Sequence, residues 1–398
     1  MNKILSICFI LIVILFLGCA NNAEKENKGR TKGNQVLQLK TSETITLKLP
    51  PKGFYYSTYV MPFYDSARRI TFLYRLNHRT NSIEKYNLKT NQLAGVLKFN
   101  YVGPNGINQL KAYYIISDST LLLMNTYLGK IFLAKPNGTI LKRYDYLNQL
   151  NLIPADFFSR TENPLVYSSK TNILNVNLSP LKNSVTDKSY YSIPISAKLF
   201  FNTNTIKVNK IRYPELYKEN NYGGVIALHF FASTYNSHKD LMAYSFNADP
   251  VIYTEDSRGK IKKYDAHSRY FVKPKPMPNK QMSFEESRML YLQKPRYESL
   301  MYDKYRNIYY RVCLLPIEIE KGKKYSPLKI AEMPFSIMVL DSNFRVINEQ
   351  KFKKHLYNVF EYFITEKGLW ISANNPYNPG FDENKISYVL FRLNKKKE

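Results

Sequence analysis

Residues that could bind a ligand are concentrated in one tyrosine-rich segment, 297–311. It contains two runs of alternating apolar and aromatic residues separated by a polar break, which is the pattern of two antiparallel strands joined by a short turn. Alternation places Tyr309 and Arg311 on the same face of the second strand. A guanidinium beside an aromatic surface can bind a carboxylate or a sugar ring, so we predict both as ligand-binding residues. The alternative is internal: Arg311 pairs with Asp303 or another carboxylate, and the tyrosines pack inside the protein.

Two further polar positions are candidate ligand contacts. Asn105 lies in a Gly-Pro-Asn-Gly loop, 103–106, that we expect to join one repeating unit to the next at a central mouth. His229 opens a polar and aromatic run that extends to His238 and that we expect to be a loop. A catalytic pairing of a histidine of this run with Asp240 or Asp256 stays open, since neighbours in sequence need not be neighbours in space.

Other catalytic signatures are missing from the sequence. No two of the five histidines have metal-ligand spacing within one element, and no Gly-x-Ser-x-Gly elbow occurs. The carboxylates considered for glycoside cleavage are aspartates, most of them at turn positions that use Asp for local hydrogen bonds: Asp65, Asp118, Asp156, Asp240, Asp256, Asp303 and Asp341. The sequence therefore predicts no metal and no cofactor, and the catalytic residues, if any, stay unknown.

A repeating pattern of short strands must position these candidates. A strand that ends in Asp or Asn, a turn and a second strand recur along the chain, with copies at 82–99, 130–144, 199–211, 260–272 and 336–352 and an incomplete copy at 386–391. One of the turns is Asn137-Gly138, a strong tight-hairpin signal. Two more strand-like runs precede each copy, so the unit has four strands. Such units in series predict an all-β protein, a β-propeller.

The two ends of the chain predict a closed ring. The final unit stops after its third strand, whereas an alternating strand without a partner opens the folded chain at 36–49. If that N-terminal strand completes the last blade, no bare sheet edge remains. We predict a single domain, 36–398, of six four-stranded blades, near 57–99, 111–147, 164–213, 240–272, 297–353 and 357–392. Seven blades are the alternative, because 173–235 is long enough to contain another.

The N-terminus has the parts of a bacterial lipoprotein signal. An apolar run, 4–17, follows a lysine and is shorter than the about 20 residues that span a membrane. It ends in Leu-Phe-Leu-Gly-Cys, which resembles a lipobox, so we predict removal of residues 1–18 and lipidation of Cys19. Residues 19–35 are polar and predict a disordered tether. The predicted location is the outer membrane, facing the periplasm or the outside; a secreted protein with an incidental cysteine is the alternative.

The chain is strongly basic, with a formal charge of +27 from 58 Lys and Arg against 31 Asp and Glu. Such a charge attracts anionic partners, which in the envelope are acidic glycans or lipid headgroups and not nucleic acid. The alternative is the composition of an AT-rich genome, since the lysines are scattered. With Cys19 lipidated, Cys313 would be the only free cysteine of the mature chain, so no intramolecular disulfide can form and Cys313 is predicted to be a small buried hydrophobe. We also predict a monomer.

Two motifs, together with the lipobox and the N-terminal strand, carry a resemblance. The segment Asp-Lys-Tyr-Arg-Asn-Ile-Tyr-Tyr-Arg at 303–311 and the loop Tyr-Val-Gly-Pro-Asn-Gly at 101–106 resemble the DUF4221 family of Bacteroidetes lipoproteins. The resemblance covers most of the mature chain and implies a six-bladed, propeller-like fold in the cell envelope. It implies no activity, because the family has none established.

Two classes of function follow. The first is a non-enzymatic, envelope-anchored module that binds an anionic glycan or a protein partner, and it predicts a mouth lined by Arg, Lys and Tyr. The second is a glycan-active hydrolase or lyase, and it predicts two carboxylates, or a Tyr, His and Arg cluster, that meet in the mouth. We favour the first, and a purely structural role is a third reading, since propellers host many unrelated functions.

Overall fold

The computed structural model describes residues 37–180, 184–185, 187–222, 230–278, 282–319 and 327–395 of the 398-residue chain. The predicted signal peptide, Cys19 and the tether lie outside these residues. Residues 38–394 form one compact unit. Within the described residues, six antiparallel sheets are arranged as the blades of a β-propeller, as the sequence predicts.

The chain enters through the last blade and then builds blades one to three. The first strand, β1 (Leu37–Lys48), belongs to blade six. Blade one contains β2 (Val60–Asp65), β3 (Ile70–Asn77), β4 (Ser82–Asn87) and β5 (Gln92–Lys98). Blade two contains β6 (Ala112–Ile115), β7 (Leu121–Asn125), β8 (Lys130–Ala134) and β9 (Ile140–Asp145). Blade three contains β10 (Asp156–Phe158), β11 (Val166–Ser168), β12 (Ile173–Ser179), β13 (Ser196–Phe200) and β14 (Thr205–Val208).

The second half of the chain builds blades four to six. Blade four contains β15 (Phe231–Asn236), β16 (Leu241–Phe246), β17 (Val251–Asp256) and β18 (Ile261–Asp265). Blade five contains β19 (Arg296–Asp303), β20 (Ile308–Leu314), β21 (Phe335–Leu340) and β22 (Val346–Phe352). Blade six contains β23 (Asn358–Thr365), β24 (Gly368–Ser372) and β25 (Lys385–Lys395), with β1. The first strands of neighbouring blades contact one another, β15 with β19 and β2 with β23, so they lie nearest the axis.

The described helices are short and lie between strands. They are α1 (Leu147–Leu152), α2 (Glu215–Glu219) and α3 (Phe284–Leu292), with 3₁₀ turns at Lys188–Ser192 and Pro327–Glu332. The N-terminus of α3 has a capping box in which Ser283 and Glu286 bond to each other's backbone N–H groups. Among the described residues, no helix has the length and apolarity to cross a membrane.

The ring closes as predicted. The last sheet has the order β1-β25-β24-β23, so the N-terminal strand is its outer strand. The N–H of Leu49 donates to the carbonyl of Asn384 at 2.9 Å, and the hydroxyls of Thr46 and Ser387 lie 2.9 Å apart. The chain therefore joins its two ends within one blade and covers the edge that either end alone would expose.

Blades three and four differ from the prediction. In blade three the innermost position is divided between β10 and β11, which both pair with β12, and residues 159–165 are inserted between them. In blade four the run predicted as a loop is β15, which pairs with β16 over its whole length. It is buried almost throughout, and a strand buried on both faces lacks the alternation that identifies a strand in sequence.

Buried carboxylates fix two linkers, the one between blades three and four and the one between blades four and five. Glu255 on β17 accepts from the backbone N–H groups of Lys210 and Ile211 at 2.7 and 2.9 Å, after the end of blade three. Glu349 on β22 accepts from the N–H of Arg269 at 2.8 Å, after the end of blade four. Each linker therefore has its backbone donors satisfied by the following blade.

Candidate functional site

The candidate site is a cavity of about 640 Å³ at the mouth of the central channel where the innermost strands begin. We call it the axial funnel. Its wall includes residues that directly precede β2, β15 and β23, so it is a product of the ring and not of one blade. The residues used below line it: Phe54, Tyr55, Tyr56, Arg160, Glu162, Phe230, Phe284, Arg288, Tyr291, Glu298, Asn358 and Phe360.

Aromatic rings form much of the funnel wall. Phe54 and Tyr55 pack at 4.9 Å between ring centroids, and the guanidinium of Arg79 lies 3.6 Å from the centre of the Phe54 ring. Tyr56 keeps its proton, because burial, and after it the charge of Glu162, raise its pKa to about 12. A cavity with aromatic walls and a few polar groups is the usual form of a small-molecule site.

The insertion in blade three supplies one arginine and one glutamate. The guanidinium of Arg160 lies 5.4 Å from each of the rings of Phe158 and Phe230. Its Nη1 atom is 3.7 Å from Oε1 of Glu162, and the side chain of Arg160 is 47% exposed whereas that of Glu162 is 12% exposed. The N–H of Ser233 donates to the carbonyl of Glu162 at 2.9 Å, so β15 holds the insertion in place.

Blade five supplies the second carboxylate. Glu298 on β19 pairs with Arg296, with Nε and Oε2 3.0 Å apart. Arg296 is fully buried, and its guanidinium lies 3.7 Å from the centre of the Tyr291 ring. Burial on one side and an aromatic face on the other fix the guanidinium, which in turn fixes the carboxylate of Glu298 at the funnel.

The pKa of Glu162 is shifted into the physiological range. Burial raises the pKa of its carboxyl to about 7; the charge of Arg160 opposes this, and the charge of Glu298 adds to it. Near neutral pH, Glu162 can therefore donate or accept a hydrogen bond. The funnel thus combines aromatic walls, an accessible cation and a carboxyl group that exchanges a proton in the physiological range.

The structure places Arg311 away from any mouth. It is fully buried, and its guanidinium lies 3.4 Å from the centre of the Tyr297 ring. It donates to Ser245 Oγ at 2.9 Å and to three backbone carbonyls, those of Asp249, Pro250 and Ala266. Because every direction of the guanidinium is occupied by protein, Arg311 does not line the axial funnel and is not part of the candidate site. This position agrees with the alternative given above, in which Arg311 is bonded inside the protein, except that its partners are backbone carbonyls and not the carboxylate of Asp303.

Tyr309 and Asn105, two of the other predicted residues, also lie outside the axial funnel. Tyr309 is fully buried, and its hydroxyl accepts from Asn236 Nδ2 at 2.6 Å. Asn105 Oδ1 accepts from the N–H of Ile140 at 3.0 Å, so the loop contacts β9, the outer strand of blade two. Its predicted place at a central mouth is therefore corrected. His229, like Cys19, lies outside the described residues.

Sequence reasoning missed the charged residues of the funnel. Arg160 and Glu162 occur in a short polar segment between strand-like runs, and Glu298 occurs within a strand. The carboxylates that the sequence suggested for such a pair are aspartates, which favour turns, whereas the structure places two glutamates, from blades three and five, in one cavity. The sequence signal that could have found Glu298 is a glutamate inside a strand-like run, since a buried charge needs a specific partner.

These features define a class of protein, a six-bladed β-propeller with an aromatic and charged cavity at one mouth of its channel. Residues 37–351 match the family model described as "Domain of unknown function (DUF4221)". The chain belongs to the DUF4221 family.

Two solved structures from Bacteroides are similar to this chain. A member of the DUF4221 family from Bacteroides vulgatus has a TM-score of 0.80 and 23% sequence identity, over 91% of this chain and all of that chain. A protein from Bacteroides fragilis, provisionally named an exported protein, has a TM-score of 0.52 and 10% identity, over 92% of this chain and 98% of that chain. At these identities the likeness shows the fold. A comparison with curated proteins finds no match.

Proposed function

We propose that this protein is a lipid-anchored envelope protein that binds an acidic saccharide in the axial funnel. The observation that supports it most directly is Arg160, an arginine that is 47% exposed at a cavity with aromatic walls. An acidic saccharide has ring faces that pack on aromatic side chains and a carboxylate that pairs with a guanidinium. The funnel presents both kinds of surface.

The cation of Arg160 is available to a ligand. The guanidinium lies beside the stacked rings of Phe158 and Phe230, 5.4 Å from the centre of each. This contact limits its freedom before binding and so reduces the entropy lost on binding. The separation from Glu162, 3.7 Å, is longer than a charge-assisted hydrogen bond. Because the pKa of Glu162 is about 7, a part of the population near neutral pH carries no charge there to neutralise Arg160.

Uncharged groups near the funnel would bond to saccharide hydroxyls. Asn358 uses its Oδ1 atom to accept from the N–H of Phe360 at 3.1 Å, and its Nδ2 atom has no bond within the described part of the chain. In its protonated form, Glu162 adds a donor. A site with one charge contact and several neutral contacts should keep most of its affinity in salt, whereas general attraction by the +27 charge is screened by salt.

The test is calorimetric binding of the full chain in detergent to oligosaccharides of galacturonic acid, with neutral galactose oligosaccharides as the matched ligands. We expect saturable binding of the acidic series that weakens at least tenfold in Arg160→Met, which keeps the apolar stem. Arg258→Met is the control, since Arg258 is exposed on the β17–β18 turn. Equal binding by Arg160→Met, or binding that salt abolishes in all variants alike, would overturn the proposal.

The second candidate is a glycan-active hydrolase or lyase, and the observation that favours it is the presence of Glu162 and Glu298 in the same cavity. A carboxyl with a raised pKa beside one that pairs with an arginine is the arrangement of an acid and its partner in glycoside cleavage. Mass spectrometry of the oligosaccharides after incubation distinguishes the candidates. Cleavage that Glu298→Gln abolishes supports the enzyme, whereas intact oligosaccharides support the binding protein.

The lipid anchor is tested separately. We propose that Cys19, in the lipobox-like sequence at 15–19, carries the lipid and attaches the protein to the outer membrane. Metabolic labelling with an alkyne fatty acid should label the wild type and not Cys19→Ser, and Cys19→Ser should move from the membrane fraction to the soluble fraction. Labelling of Cys19→Ser at the wild-type level would exclude this attachment.

A further inference from the structure

A second cavity, of about 500 Å³, lies at the opposite mouth of the channel, where the innermost strands end. Tyr235 lies near the end of β15, and Tyr302 and Lys304 lie at the end of β19. We call this cavity the tyrosine mouth, because Tyr114, Tyr167 and Tyr305 also line it. Its volume is in the range of small-molecule sites.

Hydrogen bonds hold the tyrosines of this mouth in fixed orientations. The hydroxyl of Tyr167 donates to Asn172 Oδ1 at 2.9 Å, that of Tyr235 to Asp240 Oδ1 at 2.8 Å and that of Tyr302 to Asn307 Oδ1 at 2.8 Å. The rings of Tyr114 and Tyr167 pack edge to face, with centroids 5.9 Å apart. Rings fixed in this way lose little freedom when a ligand packs on them.

Two of the tyrosines are available to a ligand. Tyr305 is 45% exposed, and Lys304 lies over its ring with Nζ 5.2 Å from the centre. Tyr114 has no hydroxyl partner among the described residues, and burial raises its pKa, so its O–H remains a donor across the physiological range. The mouth therefore presents an aromatic face and a hydroxyl that can still bond.

The inner end of the tyrosine mouth contains an unsatisfied polar group. Ser233 on β15 lines the cavity and is fully buried. Its Oγ atom has no hydrogen-bond partner within the part of the chain that the structure describes. A buried hydroxyl without a partner costs about 1–3 kcal/mol, which is why such a group in a native protein needs an explanation. The Oγ atom is covered in the ligand-free structure, so a ligand hydroxyl would reach it only after the lining side chains shift, and the new hydrogen bond would then remove that cost.

The tyrosine mouth has little charge. Among its lining residues, all of which are described, Lys304 is the only one with a charged side chain. This contrasts with the axial funnel, which contains two arginines and two glutamates. An anion would find one exposed lysine, whereas a neutral ligand with several hydroxyls would find aromatic faces, tyrosine hydroxyls and Ser233.

We propose that the tyrosine mouth is a second binding site and that it takes a neutral saccharide of one or two sugar units. Sugar rings would pack on Tyr305 and on the edge-to-face pair Tyr114 and Tyr167, and a sugar hydroxyl would bond to Ser233. This site shares no lining residue with the axial funnel, so the two ligands would bind to separate surfaces at opposite ends of one channel.

The experiment is saturation-transfer NMR on the full chain in detergent, with lactose, cellobiose, maltose and N,N′-diacetylchitobiose as probes. We expect saturable binding of at least one probe that weakens at least tenfold in Tyr305→Leu and at least threefold in Ser233→Ala. Tyr127→Leu is the control, because Tyr127 is 68% exposed and does not line this mouth. Circular dichroism spectra matching those of the wild type confirm that each variant is folded.

Arg160→Met separates the two sites, because it changes the axial funnel alone. Unchanged saccharide binding in Arg160→Met supports the tyrosine mouth. The proposal is overturned if no probe gives a saturation-transfer signal above that of a protein-free sample, if Tyr305→Leu and Ser233→Ala both bind like the wild type, or if Arg160→Met loses the same saccharide.

Discussion

Arg75 of blade one and Glu361 of blade six form a buried ion pair, with Nε of the arginine donating to Oε1 of the glutamate at 2.7 Å. Nη1 of Arg75 also donates to Glu84 Oε2 at 2.9 Å, and the hydroxyl of Tyr388 donates to Glu361. The three charged side chains are at most 1% exposed. The first and last blades are therefore joined by a charged network in addition to the strand β1.

Replacing the arginine of this network should lower the free energy of unfolding of the closed ring. Arg75→Met leaves Glu84 and Glu361 buried without their cation, and removing one partner of a buried pair costs about 3–5 kcal/mol. Urea denaturation followed by tryptophan fluorescence measures it, since Trp370 lies in blade six. Lys367→Met is the matched control. Lys367 pairs with Glu43 on the surface of blade six, and the two side chains are 46% and 35% exposed. A loss in the control as large as in Arg75→Met would contradict this account.

Arg311 should matter for stability and not for binding. Arg311→Met leaves three buried carbonyls without the donors that now satisfy them, and each unsatisfied group costs about 1–3 kcal/mol. We expect a loss of at least about 3 kcal/mol in urea denaturation and, at temperatures where the variant is folded, unchanged ligand affinity at both mouths. A stable Arg311→Met that no longer binds its ligand would restore the predicted ligand role.

Glu162 should make the protein less stable as the pH rises. Its folded-state pKa of about 7 lies above the ordinary 4.5, so between these values the folded state binds more protons than the unfolded state and the free energy of unfolding falls with pH. The full difference corresponds to about 3 kcal/mol. Glu162→Gln removes this dependence: we expect it to match the wild type at pH 4 and to exceed it at pH 8, by urea denaturation. Parallel curves for the two proteins would show that Glu162 titrates alike in both states.

Cys313 should be unreactive while the protein is folded. It is fully buried on β20, and burial raises the pKa of its thiol to about 12, so almost no thiolate forms at pH 8. In a Cys8→Ser, Cys19→Ser variant, an aromatic disulfide reagent should react with Cys313 only as urea unfolds the protein. Stoichiometric reaction within minutes in native buffer would contradict the buried position.

The repeat in the sequence predicted the architecture because strand and turn signals are local. The hairpin at 297–311 forms as β19 and β20, with Tyr302 opposite Tyr309. Alternation also assigned the faces of β20: Tyr310 packs in one core cluster and Tyr309 in another. The strand β15 was missed, because burial on both sides removes the alternation on which such predictions rest.

The sequence by itself determined the series of four-stranded blades, the closure by the N-terminal strand and the separation of the two faces of β20, because each follows from a period of two and from turn chemistry within a few residues. It left six and seven blades open, and the structure decided for six. The tertiary structure alone decided that Arg311 lies between blades and that Arg160, Glu162 and Glu298 meet at the axis. A strand's periodicity shows that two faces exist and not what each face contacts. That depends on ring closure, which brings blades three and five to one cavity although their residues are far apart in the chain.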